Sequence, residues 1–239
     1  MDQPDNGIRH PMVEHPNRAQ AHITAFWNVA ADEYENHDGN VAGYGSPEYQ
    51  RWVDALALVL PEPPSDVLDV ATGTGYIALA AASLGHRVTA TDLAPAMLDV
   101  LKVNAAARNV RVDARLGDAV VPDFAPASFD ALTNRHLLWT LREPAAAMAN
   151  WRALLRPGGR LVAVDGFWFT DSGDGDVPPP FAEHYTIDTR RELPFMHLDA
   201  PDPILDALAA AGFTHATAQP RPDLRLGIGV PYLITAIRP

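Results

Sequence analysis

The stretch from Asp66 to Asp92 constrains the fold of this chain more than any other. Val67, Leu68 and Val70 form a short apolar run of strand character, and Ala71-Thr72-Gly73-Thr74-Gly75 follows at once with two glycines suited to a tight turn. Tyr76 to Leu84 is rich in Ala and Leu and ends at Gly85, which predicts a helix and its stop. Arg87-Val88-Thr89-Ala90-Thr91 then reads as a second strand finishing at Asp92. Together these segments make a βαβ unit with a glycine turn between strand and helix. Such a turn lets a ligand approach the backbone and points the free N–H groups of a helix N-terminus at it. An acid about 20 positions on, at the tip of the second strand, is placed to accept both hydroxyls of a ribose. The expected ligand is adenosine-shaped.

Two kinds of cofactor satisfy that description. Gly73-x-Gly75-x-x-Ala78 fits the dinucleotide fingerprint with Ala in its third place, so an NAD(P)-dependent oxidoreductase stays open. Asp69, however, sits inside the first strand, giving Asp69-x-Ala71-x-Gly73-x-Gly75. That pattern resembles motif I of the class I S-adenosylmethionine-dependent methyltransferases, whose usual form has Gly where Ala71 stands. The departure is expected to be mild, because Ala keeps the backbone N–H. A carboxylate at Asp69 suits a ligand carrying an ammonium group and would repel a pyrophosphate.

The resemblance continues along the chain and implies further cofactor residues. Asp92-Leu93 with Met97 matches the segment that lies against ribose and adenine, and Gly117-Asp118-Ala119 matches the adenine-edge motif. Thr72, with Ala71, Gly73 and Gly75, belongs to the turn itself. Arg156-Pro157-Gly158-Gly159-Arg160 is the family's usual turn into its fifth strand. Phe26-Trp27 and Tyr34 resemble the N-terminal helix that many small-molecule members fold over the cofactor, with the tyrosine hydroxyl at its methionine end. The resemblance implies a doubly wound, seven-stranded, mostly parallel sheet with a helical cap. It also implies transfer of a methyl group to an O, N or C nucleophile of a small molecule. Enzymes that bind S-adenosylmethionine without transferring its methyl group remain an alternative.

Composition narrows the remaining classes. Cysteine is absent, which excludes disulfides, thiolate metal sites and Cys nucleophiles. A net charge of −12 disfavours nucleic-acid partners. No apolar run approaches the roughly 18 residues of a membrane span, and the N-terminus lacks a signal-peptide core, so a cytoplasmic protein is expected. The residue pattern suggests no metal site, and a homodimer is left open.

The single domain divides by character into a helical cap over residues 17–62, a cofactor core over 63–166, a substrate-side insertion over 167–203, and a closing helix and hairpin over 204–239. Helical patterns are expected from Ala19 to Tyr34 and from Pro47 to about Leu60, joined by a Gly39–Gly45 loop, after a loose lead-in. The insertion carries Trp168, Phe169, Phe181, His184, Tyr185 and His197, a composition suited to a small organic substrate. In a doubly wound sheet the chain leaving strand four faces the ligand crevice. Here strand four runs from Phe129 to Asn134, and Arg135-His136 follow. Asn134 and Arg135 are accordingly placed with the cofactor. His136 is the candidate general base, since a neutral imidazole accepts a proton near pH 7. Tyr34 and His197 are the alternative bases.

Overall fold

The computed structural model describes residues 17–36, 43–169, 179–225 and 229–239. The expected lead-in, the Gly39–Ala42 part of the loop and the acidic Asp171–Asp176 stretch lie outside those residues. In chain order, α1 (Arg18–Ala30), a 3₁₀ turn (Tyr34–Asn36) and α2 (Pro47–Val59) lead into β1 (Asp66–Val70), α3 (Tyr76–Ser83), β2 (Arg87–Asp92), α4 (Pro95–Ala107) and β3 (Val112–Leu116). β4 (Phe129–Arg135), a second 3₁₀ turn (Leu138–Thr140), α5 (Pro144–Leu154) and β5 (Leu155–Asp165) follow. The short helices α6 (Pro179–His184) and α7 (Ile187–Arg191) fill the expected insertion, and α8 (Asp202–Ala210), β6 (Thr214–Pro220) and β7 (Tyr232–Ile237) close the chain.

The seven strands form one sheet in the order β3-β2-β1-β4-β5-β7-β6. β7 runs antiparallel to both its neighbours, and every other pairing is parallel. The strand order therefore reverses between β1 and β4, whose carboxyl ends lie side by side, and a doubly wound sheet opens its ligand crevice at that point.

Burial explains the sequence of the central strands. Val67 packs with α2 and α3 on one face, while Leu68 and Val70 pack with α5 and α8 on the other. A strand covered on both sides reads as a nearly continuous apolar run rather than an alternating one. α3 is buried from Tyr76 through Ala81, so a helix apolar on every side is what its position requires. The edge strand β6 is mostly exposed and reads Thr-His-Ala-Thr-Ala-Gln-Pro, a polar run ended by Pro that discourages pairing with another chain. α2 starts as the sequence indicates, with Ser46 Oγ accepting the Tyr49 N–H at 3.1 Å ahead of Pro47. α1 is capped by Asn17, whose side chain accepts the Ala19 N–H at 2.8 Å.

Two boundaries differ from expectation. β5 begins at Leu155 rather than Leu161, because the Pro157-Gly158-Gly159 turn is accommodated as an irregularity between two stretches paired with β4. α1 stops at Ala30, and the chain turns through Tyr34–Asn36 before reaching α2.

Gly75 and Gly158 test how tightly the two glycine turns are built. Both have positive φ, 94° and 78°. A Cβ at Gly75 would lie 2.8 Å from Leu101 Cγ, whereas at Gly158 it would meet nothing within 4 Å. Gly75→Ala is therefore expected to destabilise by about 2–4 kcal/mol, combining left-handed strain with overpacking. Gly158→Ala should cost only about 1–2 kcal/mol, the strain alone. Urea unfolding of both variants measures the difference, and equal losses would contradict the packing argument.

Candidate functional site

The turn after β1 is built from three left-handed residues in five: Ala71 at φ 50°, Gly73 at 55° and Gly75 at 94°. The Thr72 N–H donates to Thr91 O at 2.9 Å, tying the turn to β2. Ala71 is thus not the mild departure expected of it. An L-residue in this conformation costs about 1–2 kcal/mol, so the turn carries strain at the position where Gly would carry none.

Asp92 ends β2 and holds the turn from the other side. Its Oδ2 accepts the Gly73 N–H at 2.8 Å and its Oδ1 accepts the Ala94 N–H at 2.9 Å. Burial pushes its pKa up, and the two N–H bonds act against that shift. Asp69 is placed differently from expectation. Its oxygens accept the hydroxyls of Thr72 and Thr133, each at 2.6 Å, and it is buried away from open space. Burial raises its pKa to about 6 despite those two donors. Buried between those two hydroxyls, it serves the joint between the turn and β4.

A cavity of about 770 Å³, counting its open mouth, lies over the carboxyl ends of β1, β2 and β4. One end is lined by Ala71, Gly73, Asp92, Leu93, Met97 and the Gly117–Ala119 turn. The other is lined by Arg135, His136, Leu137 and Thr140–Arg142, and α1 covers the cavity with Gln20, Ile23, Thr24 and Trp27. Tyr34 also lines it. Asp118 keeps one carboxylate oxygen on the Val120 N–H, at 2.7 Å. The structure thus brings most of the candidate residues to one space. Asp69, Thr72, Gly75 and Asn134 support that space from behind without lining it. Both polar atoms of the buried Asn134 amide lack a hydrogen-bond partner among the described residues.

His136 sits at φ 56°, with its N–H on Val164 O at 2.9 Å and its ring edge-on to Trp168 at 5.0 Å. Burial, with the neighbouring Arg135 charge, holds its pKa well below the ordinary histidine value, so the imidazole is neutral at pH 7. Arg135 lies over the rings of Tyr76 and Trp52, 4.4 and 5.5 Å from their centroids, and donates to Tyr34 Oη at 3.4 Å. Tyr34 is in turn edge-on to Trp27.

Two findings about the site were absent from the sequence reading. Asp165, at the end of β5, accepts the N–H groups of Leu138, at 2.7 Å, and Gly166, at 2.8 Å, and so anchors the turn that follows His136. An acid at the end of a strand, the position that Asp92 also holds, was the available signal. Gln20 and Arg142 also enter the cavity wall, through contacts 122 residues apart in the chain that local patterning does not register. The insertion aromatics, by contrast, pack the cap. Phe181 stacks on Tyr185 at 4.3 Å, and Tyr185 is fully buried between Trp27 Nε1, at 3.1 Å, and Thr140 Oγ1, at 2.8 Å. His197 Nδ1 lies 2.9 Å from Phe169 O, and its ring is outside the cavity lining. Among the described residues there is no cluster of three or more His, Cys, Asp or Glu side chains that could hold a metal, and no helix long and apolar enough to cross a membrane.

Comparison with known proteins fits this geometry. Residues 68–163 match the methyltransferase domain family. The chain is 38% identical over 112 residues to the ubiquinone biosynthesis O-methyltransferase of Xanthomonas campestris pv. campestris, a match that spans 46% of each protein. The demethylmenaquinone methyltransferase of Thermus thermophilus is 30% identical over 185 residues, covering 67% of this chain and 79% of that protein. Among solved structures, Haemonchus contortus phosphoethanolamine N-methyltransferase 2, in complex with phosphomonomethylethanolamine and S-adenosylhomocysteine, aligns with a TM-score of 0.65 at 17% identity, over 89% of this chain and 57% of that one. That last likeness concerns the fold alone. The chain belongs to the class I S-adenosylmethionine-dependent methyltransferases. Its cofactor is accordingly S-adenosylmethionine, which settles the choice left open by the glycine fingerprint.

The pKa of Asp165 is raised to about 7 by burial, against the pull of its backbone donors. A carboxyl whose pKa is higher folded than unfolded binds its proton more tightly in the folded state. Its contribution is therefore complete below its unfolded pKa of about 3.9 and is lost as pH rises toward 7. Asp165→Asn should lower stability by about 1–3 kcal/mol, because an amide cannot accept both N–H groups without facing one of them with its own donor. Its deficit should shrink between pH 4 and pH 7. Urea midpoints of both proteins across that range test the sign, and a deficit that grows with pH would refute it.

Proposed function

We propose that this chain transfers the methyl group of S-adenosylmethionine to an O, N or C nucleophile of a small-molecule acceptor. The observation that carries the proposal is that one cavity joins the Asp92, Met97 and Asp118 end to the Tyr34, Arg135 and His136 end. The residues present fit the cofactor. In this assignment Asp92 takes the ribose hydroxyls, Leu93 and Met97 flank the adenine, and Asp118 and Ala119 meet its edge. The open turn at Ala71–Gly73 leaves room beside the backbone, since even a Cβ at Gly73 would meet nothing closer than Met97 Sδ at 3.9 Å. Tyr34 and Arg135 are assigned to the methionine end, with the Asn134 amide behind them.

When bound, the sulfonium supplies an electrophilic methyl carbon. The protein's part is then orientation, exclusion of water and removal of a proton where the acceptor carries one. α1 and the insertion form the cover, with the Trp27–Tyr185–Thr140 hydrogen bonds fastening one to the other. His136 is assigned as the base, because it is a neutral imidazole on the cavity wall. Its depressed pKa keeps it unprotonated well below neutrality, at the expense of proton affinity. Two relatives named for ubiquinone and menaquinone methylation support a small metabolite as acceptor. A cytoplasmic location accords with such a substrate.

Asp92→Ala is expected to weaken S-adenosylmethionine binding by about 2 kcal/mol or more, on the scale of losing a charged hydrogen-bond partner. Calorimetric titration measures this, and unchanged affinity would remove the ribose assignment. His136→Gln should lower turnover roughly 100-fold while leaving cofactor affinity nearly intact, with the deficit shrinking as pH rises and the acceptor ionises unaided. His136→Asn serves as its backbone control, since Asn tolerates positive φ better than Gln. Incubating the protein with labelled cofactor and a metabolite extract identifies the acceptor as the peak that gains the methyl. Binding with no release of S-adenosylhomocysteine would instead indicate a cofactor-binding enzyme that transfers no methyl group.

A further inference from the structure

We infer that Arg142, oriented by Gln20, is the acceptor-recognition residue of the cavity, and that the acceptor is a small molecule carrying a carboxylate. The inference rests on the assignment of this cavity to methyl transfer and specifies the acceptor within it. Arg142 leaves the turn after β4 just ahead of α5, and Gln20 comes down from the inner face of α1; both line the cavity. The Arg142 side chain is only 8% exposed. Its Nε donates to Gln20 Oε1 at 3.0 Å, and its Nη1 reaches Glu143 Oε1 at 3.3 Å. Nη2 has no partner among the described residues.

These contacts leave the guanidinium poorly compensated. Gln20 is neutral and passes its own amide N–H to Thr24 Oγ1, at 3.3 Å. The Glu143 side chain is 59% exposed, where water screens an ion pair to little effect. A buried cation without a buried anion is costly, and an anion entering the cavity would relieve that cost. The lining of the same cavity includes Ile23, Val120, Leu137 and Leu141, and an apolar wall strengthens a charge-assisted bond by excluding water. A guanidinium offers paired donors matched to the two oxygens of a carboxylate, which a single ammonium does not. Nor does Arg135 compete for this role, since its charge is directed to Tyr34 and to the rings of Tyr76 and Trp52. In a chain of net charge −12, a local cation favours the entry of an acidic acceptor.

The test uses the full chain saturated with S-adenosylhomocysteine, whose binding is titrated first. Two probes of one shape, 3,4-dihydroxybenzoate and 3,4-dihydroxybenzamide, are then titrated calorimetrically. The wild type should bind the acid about 10-fold or more tighter than the amide. Arg142→Met should bring the ratio to about 1, and Arg142→Lys should retain part of it. S-adenosylhomocysteine affinity should stay within about twofold in both variants, which also reports that they fold. A wild type that binds acid and amide equally, or neither, overturns the proposal. So does an Arg142→Met variant that keeps the preference, or one that loses both probes equally, which would make Arg142 a latch for α1. Failure of the wild type to bind S-adenosylhomocysteine is the separate outcome that removes the underlying methyl-transfer assignment.

Discussion

The Asp69 carboxylate joins the two walls of the cavity. One oxygen is held by Thr72 in the turn after β1, the other by Thr133 on β4, and the group is buried to 1% exposure. A carboxylate there is tolerable only because both oxygens accept a hydroxyl, and removing either partner would leave a buried group unsatisfied. The connection matters because each strand ends in strain. Ala71 follows β1 at φ 50° and His136 follows β4 at φ 56°, both non-glycine residues in the left-handed region. Strained residues persist where their surroundings over-determine them. The Thr72 N–H on Thr91 O and the His136 N–H on Val164 O complete that fixing, one toward β2 and one toward β5. The cavity walls are thus set by four strands at once.

The same chemistry recurs at two strand ends with different consequences. Asp92 and Asp165 both accept backbone N–H groups from the turn that follows or faces their strand, and burial raises the pKa of both. Asp92 lines the cavity and Asp165 does not. An acid at a strand's carboxyl end is therefore first a turn anchor, and faces a cavity only where the strand order opens a crevice beside it. Sequence position identifies the anchor; topology decides the rest.

That distinction explains how much was legible. Segments whose determinants are local emerged from the chain directly: the apolar run at Val67–Val70, the glycine turn and the helix that begins at Pro47. The residues lining the Asp92 end of the cavity were brought together for the same reason, since they cluster in three short motifs. What could not be read depends on partners far along the chain. The orientation of Asp69 is set by Thr133, 64 residues away, and Trp27 meets Tyr185 across 158 residues. The insertion aromatics look like a substrate surface in composition, yet Tyr185 is buried in the core of the cap and Phe195 in the core beneath the sheet. Composition alone cannot separate an aromatic that packs from one that binds. The conformational demand at Ala71 was hidden because φ is a property of the folded turn.

The electrostatics of the cavity follow from placing cations inside an acidic protein. Arg135 contributes to holding His136 neutral, and acts in the opposite sense on Asp69 and Asp165, favouring their ionised forms. Under the proposed function this arrangement has a use. The cofactor carries a fixed positive sulfonium charge, and a protonated imidazole nearby would add a second cation while being unable to accept a proton. A histidine depressed by burial and by Arg135 avoids both difficulties, and the cost of that depression is a weaker base. Such a base suits a nucleophile that needs little help, as a phenol or enol does, better than an aliphatic alcohol, whose proton it could not hold. The environment of His136 therefore favours acceptors that are already acidic at the reacting atom.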